Sequence, residues 1–302
     1  MKQKTRAVDR NARHESLTAA ILMAPAAVLL FTFTVYPIGY LIYRSLFGGN
    51  LLSRNKEFVG TENYQELFAS KDFHQVLGNT FLYTLITVVF TIVLAVVIAA
   101  WLSGSKNKKL NEFCQTAMFT PHIISMVSVA TLFTWMMDTK NGLFNTVLTW
   151  LGLPAGTWLS RPETALWSVA LVSIWKSLGY YVLLIMAAIQ NISPSVYEAA
   201  ELDDTPAVRK FWKITLPMIS PTILFVTVVA TISSFRVFDS VSVMTGGGPL
   251  NSTNTLVYFI YQYAFSYGKP GLACAAGVIL LIFISLITAL QFAVSRKRVY
   301  YQ

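Results

Sequence analysis

Groups able to carry covalent or metal chemistry are sparse in this 302-residue sequence. His14, His74 and His122 fall in three separate regions, and none forms the i, i+4 pair with which one helix face presents two imidazoles to a metal. Cys114 and Cys274 are far apart, each in or beside an apolar stretch, and read as small hydrophobes rather than ligands or a disulfide framework. No Gly-rich phosphate loop of the P-loop type occurs, so the chain carries no ATP-hydrolysing site of its own. No catalytic residue, metal ligand or cofactor is therefore assigned to it.

Charge inside apolar segments is the more informative chemistry. One Lys or Arg at mid-helix costs about 2.5 to 3.5 kcal/mol on insertion scales, so each needs a reason. Lys176, Arg236 and Asp239 are such groups. Ser173, Lys176, Ser177 and Tyr180 share one helical face, and Thr227, Thr231 and Ser234 form a second polar stripe. From these, Lys176, Tyr180, Thr231, Ser234, Arg236 and Asp239 are candidates to line a path for a polar solute. The competing reading has Ser and Thr bonding their own helices, Arg236 snorkelling or pairing with Asp239 three residues on, and Lys176 in an ion pair between helices.

A second constellation occupies 193–217. Ser193 is an N-cap with Pro194 at the first helical position, and Asp204 or Thr205 repeats the start signal before Pro206. The spacing predicts two short helices with a bend at Asp203 to Thr205. The first exposes Val196, Tyr197, Ala199 and Ala200, small or apolar groups that let another surface approach, while Glu198 and Glu201 keep it soluble. The second is basic and carries Phe211 and Trp212, suited to rest on membrane or bundle.

The elements that position these groups follow from composition. Hydrophobic residues make up 55% and charged residues 12% of the chain, about half the charged share of a soluble domain. Apolar runs at 19–41, 80–102, 116–137, 165–189, 219–238 and 272–294 each approach the ~20 residues that a helix needs to cross the hydrocarbon core. Residues 88–100 are apolar on every face, which excludes barrel strands. The expected fold is all-α, a polytopic membrane protein of six transmembrane helices.

The net charge of +9 is distributed by topology and not as a nucleic-acid patch. Lys2, Lys4, Arg6, Arg10 and Arg13, then Lys106, Lys108 and Lys109, then Arg209, Lys210 and Lys213, then Arg296, Lys297 and Arg298 all fall on one side. The other side carries only Arg54, Lys56, Lys71, Lys140, Arg161 and Lys269. By the positive-inside rule both termini are cytoplasmic. The first apolar run is too long for a signal-peptide core and is expected to persist as a helix.

The expected organisation is a basic tail at 1–18, the first span and an outer loop at 19–78, a transmembrane core at 79–295 containing the 193–217 loop, and a basic tail at 296–302. Within the outer loop, 58–64 reads as a turn leading into a short helix. Residues 138–163 form a connection with one short helix at 143–151. Gly246, Gly247, Gly248 and Pro249 end the fifth span, and Tyr258, Phe259, Tyr261, Tyr263, Phe265 and Tyr267 match an aromatic belt on an interfacial helix.

Glu198-Ala199-Ala200, followed by Ile214-Thr215-Leu216-Pro217, resembles the EAA loop of type I ABC importer permeases. The 58–64 segment, the Thr245 to Pro249 turn and the six-helix layout are similar to the carbohydrate-uptake branch, which includes maltose and glycerol-phosphate permeases. The resemblance implies that Glu198, Ala199, Ala200, Asp203, Asp204, Ile214, Leu216 and Pro217 engage a separate ATPase. It implies as partners a second permease, two ATPase subunits holding ATP and Mg, an extracytoplasmic solute-binding protein and membrane lipid, in a bacterial inner membrane. Where the family has glycine this chain has Asp204, which tolerates a left-handed turn better than most residues. A glycerol-phosphate-type solute is the alternative within transport. An intramembrane enzyme would need a convergent catalytic pair, and a lone channel would leave the 193–217 loop without a purpose.

Overall fold

The computed structural model describes residues 18–50, 57–105 and 107–295. The terminal basic residues, Arg54, Lys56 and Lys106 lie outside that set, as do the tail expected at 1–18, save Thr18, and that expected at 296–302. Among the described residues four helices are long and apolar enough to cross a membrane: α1 (Thr18–Ser45), α3 (Lys71–Gly104), α7 (Pro162–Gln190) and α13 (Pro270–Ser295). Between α1 and α3 lies the short α2 (Glu62–Ala69), entered through a turn at Gly60, whose φ of 59° suits glycine.

The third and fifth expected spans are bent, not continuous. In place of 116–137 stand α4 (Lys108–Ile123) and α5 (Met126–Met136), at 98° to one another. Pro121 lies inside α4, where it removes one helical donor, and Ile124 and Ser125 are extended. α7 crosses α4 so closely that a Cβ on Gly179 would collide with the backbone of Met118. After α6 (Leu143–Trp150) and α7 come the short α8 (Pro194–Leu202) and α9 (Ala207–Met218). α9 meets α10 (Ser220–Phe235) at 68°. Pro217 and Pro221 flank that bend, and the Ser220 hydroxyl donates to the Pro217 carbonyl at 2.6 Å, satisfying a group that Pro221 cannot reach.

The fifth span also stops earlier than its apolar run. α10 ends at Phe235, Arg236 to Phe238 are non-helical, and α11 (Asp239–Met244) intervenes before the glycine turn. That turn is tied to α3: the Asn79 carboxamide donates to the carbonyls of Asn251 (2.7 Å) and Asn254 (3.0 Å). The aromatic segment forms α12 (Leu256–Tyr261) and a π-turn, Gln262–Ser266. It is only partly a surface belt, since Leu256 and Phe259 are buried and Tyr263 packs beside them.

Three apolar clusters hold the bundle. One joins α3, α5, α7 and α11 through Tyr83, Phe133, Val169 and Val241. Another joins α3, α7 and α10 through Ala99, Val182, Ile185 and Val226, and the last joins α2, α3, α12 and α13 through Leu67, Phe73, Phe259 and Ala276. α1 rests on α13 and leaves Leu22 and Phe33 about three-quarters exposed, as side chains facing lipid or another subunit would be. Cys114 and Cys274 are free and half-buried.

Candidate functional site: a polar cavity within the bundle and a hinged helix pair

Mid-bundle, α3 contributes Tyr83, Thr87 and Thr91 to a cavity of about 290 Å³. These are spaced four residues apart and so share one helix face. α7 supplies Ser173, Lys176, Ser177 and Tyr181, the α4–α5 break supplies His122 and Met126, and the end of α10 with the start of α11 supplies Ser234, Arg236 and Asp239. Hydroxyls cross-link the walls: Tyr83 donates to Ser173 Oγ at 2.7 Å, and Thr87 to Ser234 Oγ at 2.8 Å.

Among the described residues Lys176 has no ion pair. Its ammonium donates to the His122 carbonyl at 3.1 Å, one of the acceptors released where α4 ends. Arg236 and Asp239 line the same cavity and do not pair with each other. Among the described residues the ion pairs within 4 Å are Lys210–Glu201 and Lys269–Glu66. The i, i+3 geometry expected for Arg236 and Asp239 fails because the chain between them is not helical.

Two expected residues face elsewhere. Tyr180 stacks flat on His122, with centroids 4.7 Å apart and planes 8° apart, while its neighbour Tyr181 takes the place at the cavity. Thr231 is buried, donates to the Thr227 carbonyl and accepts from Gln291 Nε2 at 2.8 Å, so it joins α10 to α13. Sequence reasoning passed over Tyr83, Thr87 and Thr91, although their spacing was a readable signal, and over His122, for which a lone histidine gives none.

The second site is the pair α8 and α9. Ser193 precedes Pro194 as expected, but its hydroxyl meets Ser195 Oγ at 2.8 Å instead of capping a backbone N–H. α8 ends in a Schellman-type turn: Thr205 N–H donates to the Ala200 carbonyl (3.0 Å) and Asp204 N–H to that of Glu201 (3.1 Å). Asp204 sits at the left-handed position of that turn with φ 48°. α9 is capped by Pro206 and not by Asp204 or Thr205. The Tyr197 and Thr215 hydroxyls lie 3.0 Å apart and Lys210 pairs with Glu201 at 3.2 Å, so two bonds close the angle between the helices.

The exposed face differs from expectation. Glu198, Ala199, Asp203 and Asp204 are open, but Ala200 is buried and Val196 and Tyr197 pack on the second core cluster. An α-helix resting on a bundle turns one residue in three or four inward, and these are the ones. Ile214, Leu216 and Pro217 are half-buried, which makes them anchors rather than surface. The apolar surface is supplied by Leu202, Val208 and Trp212, which are 88%, 72% and 61% exposed. Leu202 and Val208 were not singled out by the sequence reading.

Residues 92–300 match the family described as the binding-protein-dependent transport system inner membrane component. The sulfoquinovosyl glycerol transport system permease protein SmoG of Agrobacterium fabrum is 33% identical over 94% of this chain and 92% of its own length. The lactose transport system permease protein LacF of Rhizobium radiobacter is 34% identical over 95% and 96%. The sn-glycerol-3-phosphate transport system permease protein UgpA of Agrobacterium fabrum is 29% identical over 93% and 95%. In fold, the chain superimposes on one from a crystal structure of a bacterial alginate ABC transporter in complex with an alginate pentasaccharide-bound periplasmic protein, with a TM-score of 0.84 and 24% identity over 95% of this chain and 96% of that one. A multi-pass helical bundle, a polar cavity inside it and matches spanning nearly its whole length identify this chain as a member of the binding-protein-dependent transport system inner membrane component family.

Proposed function

We propose that the chain is one permease subunit of an ATP-driven, binding-protein-dependent importer of sugars or oligosaccharides in a bacterial inner membrane. It works with a second permease, two ATPase subunits that hold ATP and Mg, and an extracytoplasmic solute-binding protein. Both termini lie in the cytoplasm, and the α8–α9 pair docks on the ATPase. The observation that carries the coupling role is the build of that pair: a stiff hinge, closed by Tyr197–Thr215 and Glu201–Lys210, presents Glu198, Ala199, Leu202 and Val208 outward. Closure of the ATPases would then move α8 and α9 as one body and, through the α9–α10 bend, tilt the bundle between inward-open and outward-open states.

The sugar class is supported by the named solutes of several relatives and by a cavity walled with hydroxyls. A glycerol-phosphate solute is favoured by one specific observation, the two cations Lys176 and Arg236 against the single carboxylate of Asp239 in that cavity. Uptake of labelled lactose and of labelled glycerol 3-phosphate by cells expressing the intact importer separates the two. Lactose uptake that unlabelled arabinooligosaccharide suppresses supports the sugar reading. Uptake of glycerol 3-phosphate alone overturns it.

A further inference from the structure

The polar cavity takes Met126 from the start of α5 and Asp239 and Ser240 from the start of α11. A second cavity, of about 620 Å³, is built further along the same two helices. It takes Thr131, Thr134 and Trp135 from α5, Asp138 and Asn141 from the turn beyond it, and Val243 from α11. The two cavities thus share α5 and α11, the second lying toward the 138–163 connection, which the charge distribution expects outside the cell, and the first toward Lys176 and Asp239.

Each group in this upper cavity has capacity to spare. Trp135 is 58% exposed and stacks on no other ring among the described residues. Asp138 uses one oxygen, Oδ1, to accept from Lys140 N–H (3.0 Å) and Asn141 N–H (2.8 Å), which leaves Oδ2 open. Thr131 and Thr134 donate back to the carbonyls of Val127 and Ala130, so their lone pairs are what they present outward. The carboxamide of Asn141 has no partner among the described residues.

The platform is also stiff. Gly142 N–H donates to the Asp138 carbonyl at 3.1 Å, and a Cβ on Gly142 would strike that same carbonyl. Just beyond, buried Asn145 holds the connection together. It donates to the carbonyls of Thr139 and Gly156 and accepts from Gly156 N–H and Trp158 Nε1. Such support keeps a recognition surface in place before a ligand arrives.

We infer that Trp135 and Asp138, with Asn141, Thr131 and Thr134, form a receiving subsite for one pyranose ring at the outer mouth of the path. The indole is a flat apolar plate for the ring's C–H face. Around it stand acceptors for several hydroxyl donors, with one amide to supply a donor in return. Among the lining residues a phosphate would meet the Asp138 carboxylate and no cation, Lys140 standing beside Asp138 but outside the lining, so neutral hydroxyl-rich rings suit the subsite better. This inference rests on the sugar-importer reading above.

The test is saturation-transfer NMR on the purified full chain in lipid nanodiscs, with lactose and glycerol 3-phosphate as probes. Lactose is expected to bind the wild type, about tenfold more weakly in Trp135→Ala and in Asp138→Asn, with recovery in Trp135→Phe. Trp150→Ala, on the exposed surface of α6, serves as the folded control with unchanged binding. Lactose binding that survives Trp135→Ala and is lost only in Lys176→Met overturns the subsite and leaves the sugar reading standing. Binding of glycerol 3-phosphate and not lactose overturns both. Absence of lactose binding to a wild-type chain that still transports lactose in the intact importer overturns the subsite alone.

Discussion

The ammonium of Lys176 on α7 donates to the backbone carbonyl of His122 at 3.1 Å, where α4 gives out before α5 begins. A broken helix inside a membrane must find donors for its last carbonyls, and no water of the lipid phase can supply them. A cation at that position also meets the negative end of the α4 dipole. Lys176 thus both fixes the break and brings positive charge to the cavity wall. Lys176→Met strands the carbonyl, at a cost of about 1 to 3 kcal/mol. The expected result is a lower unfolding temperature in detergent, partly recovered by Lys176→Arg. A stability equal to wild type would remove the capping role.

The crossing of α4 and α7 depends on Gly179. With the Met118 backbone pressed against its Cα, Gly179→Ala must push the helices apart, at a cost of about 1 to 3 kcal/mol. Gly78→Ala is the contrast, because nothing lies within 4 Å of its added methyl and a helical glycine loses about 0.5 to 1 kcal/mol relative to alanine. Thermal unfolding should therefore move in opposite directions for the two variants.

Asp204 occupies a left-handed position, which still strains a residue with a Cβ, though aspartate less than most. Asp204→Gly is expected to relieve most of that and leave the two turn bonds in place, seen as slower amide exchange at Thr205. Asp204→Val, β-branched, is expected to open the turn and speed that exchange. Similar exchange in all three proteins would mean that the turn does not hold the hinge.

Much of this architecture is legible in the sequence, and the failures share one cause. Apolar runs locate α1, α3, α7 and α13 because a span of that composition has one stable form in lipid. Pro194 and the Asp204 turn mark α8 because a proline at the first helical position and a left-handed residue are local chemistry. The break at Ile124 and Ser125 is not legible, since no glycine or proline occupies it and the nearest proline, Pro121, sits inside α4. Which neighbour a polar stripe faces is equally tertiary. Ser234 and Thr231 share a helix, yet the first bonds Thr87 beside the cavity and the second bonds Gln291 away from it. Ala200 reads as surface in the motif and is core in the fold, because the face that α8 turns inward is set by the bundle beneath it.

The carboxylate of Asp138 titrates below its ordinary value of 3.8, held down by hydrogen bonds from the backbone N–H of Asn141 and Lys140. A depressed carboxyl pKa stabilises the turn above pH 3.8, and that contribution disappears as the pH falls through the lower folded value. Carbon-13 NMR of the Asp138 carboxyl should give a midpoint below 3.8. A midpoint at or above it would mean that the turn bonds are not formed in solution.

Coupling through α8 and α9 is the central claim, and charge reversal at the exposed Glu198 addresses it without touching the buried face of α8. The measurement is ATP hydrolysis by the assembled importer in lipid, with and without solute-loaded binding protein, for wild type and Glu198→Lys. The expected result is strong stimulation in wild type and its loss, by tenfold or more, in the variant, with the permease still folded, since a reversed charge set into a docking contact opposes it. Stimulation and assembly unchanged in Glu198→Lys would contradict the assignment of this helix pair as the ATPase contact.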